Sequence, residues 1–176
     1  LSIRRQRQMC IRDSYYRGYK DFRATPWIST SADLIPFMTK VRCLGGHTQI
    51  ERLLRYAVKE TAKQKINALV FVGDCLEEEV DQVCGVAGEL GIMGVPCFLF
   101  HEGYEPVASN AFQQIATLTR GAYCRFDSTS ANQLKDLLAA VAVGLHIVSD
   151  LKRRMPTVKC DLSCLTSLDL AVVAFI

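Results

Sequence analysis

From Asn67 the chain reads Asn67-Ala68-Leu69-Val70-Phe71-Val72-Gly73 and then turns acidic at Asp74. A short apolar run rich in branched and aromatic side chains, closed by glycine, fits a strand covered on both faces. Such a strand belongs in a parallel sheet, and parallel strands need helical crossovers. The flanking residues supply them. Before the run, a helix over 48–64 turns Ile50, Leu53, Leu54, Ala57, Val58 and Thr61 to one side, at helical spacing. After it, Glu77, Glu78 and Glu79 crowd the first turn of a second helix, whose positive end favours them. That helix turns Val80, Val83, Cys84, Ala87 and Leu90 inward and is expected to end near Gly91. Pro96–Phe100 is the next strand. Ser109 reads as the cap of a helix carrying Phe112, Ile115 and Ala116, stopping at Gly121. Ala122–Phe126 is a third strand, with Asp127 as a turn or cap residue. Ser130 with Gln133 forms a capping box that opens a last helix, with Leu134, Leu137, Leu138, Val141 and Ala142 inward. The alternation predicts an α/β fold: a Rossmann-like, mostly parallel sheet with helices on both faces.

Upstream the pattern is looser. Tyr15–Lys20 and Phe22–Trp27 read as two short strands around Asp21, and Pro26 suggests a sheet edge. Ser31–Val41 reads as a short helix that Pro36 kinks or breaks. A Gly45-Gly46 loop follows. Residues 1–14, LSIRRQRQMCIRDS, show neither helix nor strand period. They resemble the translation of a sequencing-library adapter, so a non-native or disordered segment is expected there. Residues 15–146 then form the domain, and 147–176 are a tail in which Leu168–Ile176 reads as a strand.

The chain has 176 residues, enough for one domain with a real core. Its net charge of +3 is accounted for by Arg4, Arg5, Arg7 and Arg12 less Asp13. The remainder is neutral and has no basic stripe for nucleic acid. No apolar run reaches the roughly 18 residues of a membrane span. The eight cysteines lack the loop spacing of a disulfide framework, and Cys75, Cys84, Cys97 and Cys124 read as small hydrophobes in a cytoplasmic protein. Cys160 and Cys164 are a lone CxxxC without the second pair that a zinc site needs.

Function is sought where strand C-termini meet helix N-termini, the edge at which open parallel sheets bind ligands. Thr48 follows Gly45-Gly46-His47 at the start of a helix, and Asp74 ends the apolar strand. Hydroxyl and carboxylate oxygens together suit a hard cation. Each has a plainer role: Thr48-x-x-Glu51 is a capping box, and Asp74 can cap the helix after it. Cys75 stands where a helix start can lower a thiol pKa. His101, beside Glu102 and Gly103, reads as a solvated loop histidine. No catalytic base and nucleophile stand at recognisable spacing.

Gly45-Gly46-His47-Thr48-Gln49-Ile50 followed by Ala68-Leu69-Val70-Phe71-Val72-Gly73-Asp74 resembles the von Willebrand factor A (VWA) family over residues 15–146, and its bacterial single-domain members in particular. The resemblance implies a protein-interaction module with Mg2+ at a strand-end site, called MIDAS in that family. Its oxygens come from an Asp-x-Ser-x-Ser motif, a Thr that falls on Thr48, and an Asp that falls on Asp74. The bound metal takes a carboxylate from a partner protein, and the resemblance allows an ATPase or a chaperone. No nucleic acid or membrane partner is implied.

No Asp-x-Ser-x-Ser occurs in the chain. Asp13-Ser14-Tyr15 comes nearest, without a preceding strand. The opening central strand is therefore expected to be missing, with the metal site complete only in an intact parent and no cation bound here. A vacant centre leaves backbone groups unpaired, at about 1–3 kcal/mol each. The expectation is direct pairing across the gap, or a substitute strand from 3–12 or 168–176, in a chain that is marginal or prone to aggregate. The alternative class is a phosphate- or nucleotide-using enzyme on a similar scaffold, but neither glycine-rich phosphate motif is present.

Overall fold

The structure, a computed structural model, describes residues 10–17, 21–28, 33, 36–37, 47–126 and 170–174. It is α/β, with a Rossmann-like, mostly parallel sheet flanked by helices. In chain order come β1 (Cys10–Arg17), β2 (Asp21–Ala24), α1 (Ile50–Lys63), β3 (Ala68–Gly73), α2 (Val80–Ile92), β4 (Cys97–Glu102), α3 (Pro106–Leu118), β5 (Ala122–Phe126) and β6 (Leu170–Ala174). The strands lie in the order β2-β1-β6-β3-β4-β5. Among the described residues, only the β1–β2 hairpin is antiparallel, with Arg17 opposite Asp21.

The centre of the sheet is β3, buried at every position. Its two neighbours are β4, paired from Leu69↔Cys97 to Gly73↔His101, and β6, paired from Ala68↔Ala171 to Phe71↔Ala174. Strand alternation sends Leu69, Phe71, Cys97 and Leu99 to one face. There they join Ile50, Leu53 and Leu54 of α1, Val83 and Leu90 of α2, and Phe112 and Ile115 of α3 in one apolar cluster. Burying each large side chain of this set contributes about 1.5–3 kcal/mol. Phe71 and Phe112 meet edge to face at 5.3 Å. Ala68, Val70, Val72, Phe98 and Phe100 point to the other face and are buried as well. Of the expected helix over 31–41, Asp33, Pro36 and Phe37 are described and are helical. The Gly45-Gly46 loop, the helix expected from Ser130, and Cys160 and Cys164 lie outside the described residues.

Several boundaries differ from the sequence reading. β1 starts at Cys10, not Tyr15, because its first half pairs in parallel with β6, from Cys10↔Leu170 to Ser14↔Ala174. Hydrogen bonds from a distant segment extend a strand that has no periodicity of its own. α2 does not end at Gly91. It runs to Ile92, and Gly94, at φ +73°, makes the left-handed turn. The Val95 and Gly94 N–H groups close that end on the carbonyls of Leu90 and Gly91. Gly91 serves close packing instead, since a β-carbon there would overlap the Leu118 carbonyl. α3 closes in the same way through Arg120, at φ +56°, rather than Gly121. A β-carbon at Gly121 would overlap the Cys97 carbonyl. Among the described residues, no helix is long and apolar enough to cross a membrane.

Candidate functional site

Thr48 and Asp74 reach the same edge of the sheet through the loop that follows β3. The first turn of α1 leaves N–H groups without partners inside the helix. Its cap residue, Gln49, makes no side-chain capping bond. The expected Thr48–Glu51 capping box does not form. The acceptors come from the β3–α2 loop instead. Glu78 Oε2 accepts from the Ile50 N–H at 2.5 Å, and both Glu78 oxygens accept from the Glu51 N–H at 3.2 and 3.3 Å. Glu77 Oε2 accepts from both the N–H and the hydroxyl of Thr48, each at 2.7 Å. The Glu77 N–H returns a bond to Thr48 Oγ1 at 3.1 Å. Carboxylates suit a helix N-terminus for their charge as well as their oxygens.

Glu77 and Glu78 therefore do not crowd the start of α2, as the sequence reading placed them. They close the start of α1, because α2 begins only at Val80. Burial raises the Glu77 carboxyl, but the two bonds from Thr48 outweigh it and hold the group below its ordinary value. Glu78 goes the other way. Burial pushes it up, the Ile50 and Glu51 N–H groups offset part of the rise, and the Glu51 and Glu77 charges add to it.

The near end of the same loop is pinned by His101. This residue is not in a solvated loop. It belongs to β4, is fully buried, and lies edge-on to Phe112 at 5.3 Å. Its Nε2 is 3.0 Å from the Asp74 carbonyl, and its Nδ1 is 3.0 Å from the Tyr123 hydroxyl. A carbonyl can only accept, so Nε2 carries the hydrogen and Nδ1 accepts from Tyr123. Burial, aided by the Arg125 charge and opposed by the Asp74 carbonyl, holds the imidazole below its ordinary pKa. The ring is neutral near pH 7. Both nitrogens are engaged, so it is not a base open to substrate.

Beyond Tyr123 the chain of bonds continues to Ser109 Oγ at 3.0 Å. Ser109 does not cap α3. That role falls to Glu105, whose carboxylate accepts from the Val107 and Ala108 N–H groups, with Pro106 opening the helix.

Asp74 has an exposed side chain. Its neighbour Cys75 is not activated. Burial, then the Asp74 and Glu77 carboxylates, push its thiol up to about 12. None of Cys75, Cys84, Cys97 and Cys124 is in a disulfide, and the last two are buried.

The Thr48 hydroxyl both donates to and accepts from Glu77, so it is committed in this structure. Among the described residues, no group of three or more His, Cys, Asp or Glu side chains is arranged to hold a metal ion. A magnesium octahedron needs more oxygens than Thr48 and Asp74 offer, and the donors present do not fit it by themselves. Sequence reasoning missed Glu77, Glu78 and Tyr123. The lack of a Ser, Asp or Asn at Gln49 is a signal that the α1 cap comes from elsewhere. The period-two run Cys97, Leu99, His101 is a signal that His101 continues a buried face.

Comparison with protein-family models, with curated proteins and with solved structures returned no match.

Proposed function

We propose that this chain is a protein-interaction module of the VWA type, working inside the cell and meeting its partner at the C-terminal edge of its parallel strands. The observation that supports this reading is the placing of Thr48 and Asp74 on one rim, joined by a loop held at Asp74 and again at Glu77 and Glu78. A rim held at both ends presents its side chains with little ordering left to do on binding. Mg2+ belongs to this reading only where an Asp-x-Ser-x-Ser strand adds its oxygens. The chain on its own is expected to bind none.

Calorimetric titration with Mg2+ tests the metal part. The present chain should give no binding heat. A version preceded by a strand carrying Asp-x-Ser-x-Ser should bind, and Asp74→Ala in that version should weaken binding at least about tenfold, as loss of a charged ligand does. Equal affinity with and without Asp74→Ala would remove the metal site.

A further inference from the structure

The hydrogen-bond chain behind Asp74 has a direction, and it ends at the surface on a guanidinium. The Asp74 carbonyl takes the His101 Nε2 hydrogen, and His101 Nδ1 takes the Tyr123 hydroxyl hydrogen. Tyr123 oxygen is then left to accept, so Ser109 donates to it across 3.0 Å. The Ser109 lone pairs in turn accept from Arg125 Nη2 at 3.2 Å and Gln113 Nε2 at 3.4 Å. Arg125 is exposed, and its guanidinium carbon stands 4.8 Å from the centre of the Tyr104 ring. The head group is thus held by a serine on one side and an aromatic ring on the other.

Among the described residues, no carboxylate pairs with it. Glu105, the nearby candidate, spends its oxygens on the Val107 and Ala108 N–H groups of α3. Glu102 stands opposite Phe126, one step from the His101↔Arg125 pair, and so faces the other side of the sheet. The Ser109 bond uses one of five guanidinium N–H donors. The Tyr104 ring against it is 73% exposed, and Val107, two residues before Ser109 on α3, is 50% exposed. Tyrosine and arginine are the side chains that most often dominate protein interfaces.

We propose that Arg125 and Tyr104 form a recognition site for an acidic segment of a partner protein, with a carboxylate on the guanidinium and an apolar neighbour on Tyr104 and Val107. A planar fork held in place matches a carboxylate bidentately and loses little freedom on binding. The site lies on the same strand edge as Asp74 but does not depend on a cation there.

The test is fluorescence anisotropy with the full chain in a metal chelator, so that the fate of the Thr48–Asp74 reading cannot alter the result. The probe is a labelled peptide of alternating glutamate and leucine, with its glutamine counterpart as control. The glutamate peptide should bind, and more weakly as salt rises. Tyr104→Ala and Arg125→Lys should each weaken it about tenfold or more. Both positions are exposed, so both variants should keep the wild-type melting temperature. Equal binding by either variant, equal binding of the glutamine peptide, or no binding by the wild type would overturn the proposal. Displacement of the peptide by an equal concentration of inorganic phosphate would assign the guanidinium to a small oxyanion and overturn it too.

Discussion

Thr48 and Glu77 show how one pair of side chains closes a gap in the backbone account. α1 begins without a capping side chain of its own; Glu78 accepts from its first N–H groups, and Glu77 accepts from Thr48 just before them. The sign of the resulting pH dependence is fixed by the direction of the shift. Glu77 ionises more easily in the fold than in the unfolded chain, where its value is about 4.3. Its contribution to stability is therefore complete above that value, and it is lost as the pH falls through the lower folded value. Glu77→Gln should cost about 0.5–1 kcal/mol at pH 7, the size of exposed charge-assisted bonds. The deficit should close well below about pH 4. Urea unfolding at the two pH values checks this, and an undiminished deficit in acid would show that ionisation is not the cause. Glu78, shifted upward, works in the opposite sense, and the substitution relieves the part of its shift that the Glu77 charge causes. None of this was legible beforehand. Three consecutive glutamates before Val80 look like the start of their own helix, and only the approach of α1 redirects two of them.

At the level of the element, the helix ends are the informative places. α2 and α3 stop with the same pair of backbone bonds, yet α2 turns through Gly94 and α3 through Arg120. A side chain at φ +56° is strained where glycine is not. Arg120→Gly should raise stability by about 0.5–1 kcal/mol, read as a higher melting temperature and urea midpoint. No gain would mean that contacts of the Arg120 side chain offset the strain. Gly91 and Gly121 signalled helix ends in the sequence, but they are kept small by the Leu118 and Cys97 carbonyls. A glycine marks either a left-handed turn or a close approach, and local pattern does not separate the two. The core faces were plain from the outset: Ile50, Leu53, Leu54 and Ala57 of α1, and Val83, Ala87 and Leu90 of α2, are buried as their spacing requires.

Across the whole molecule, the decisive feature is that β6 lies between β1 and β3. It fills the central position that the sequence reading left vacant, from one of the two segments expected to do so. β6 gives β1 and β3 a partner each and joins the hairpin to the rest of the sheet. Removing residues 168–176 should expose both facing edges at once. The expected result is a broadened, less cooperative urea transition, together with association that grows with protein concentration in light scattering. A shortened chain that stays monomeric and unfolds as sharply as the full one would show that β6 is dispensable.

From Ile50 to Phe126, the order and type of the elements followed from the amino-acid sequence alone. Apolar period acts over a few residues and leaves its mark locally. Where β6 inserts, which carboxylates close α1, and whether His101 meets water or the Asp74 carbonyl were decided only by tertiary structure. Each depends on a hydrogen-bond partner far away in the chain, which the nearby pattern does not name.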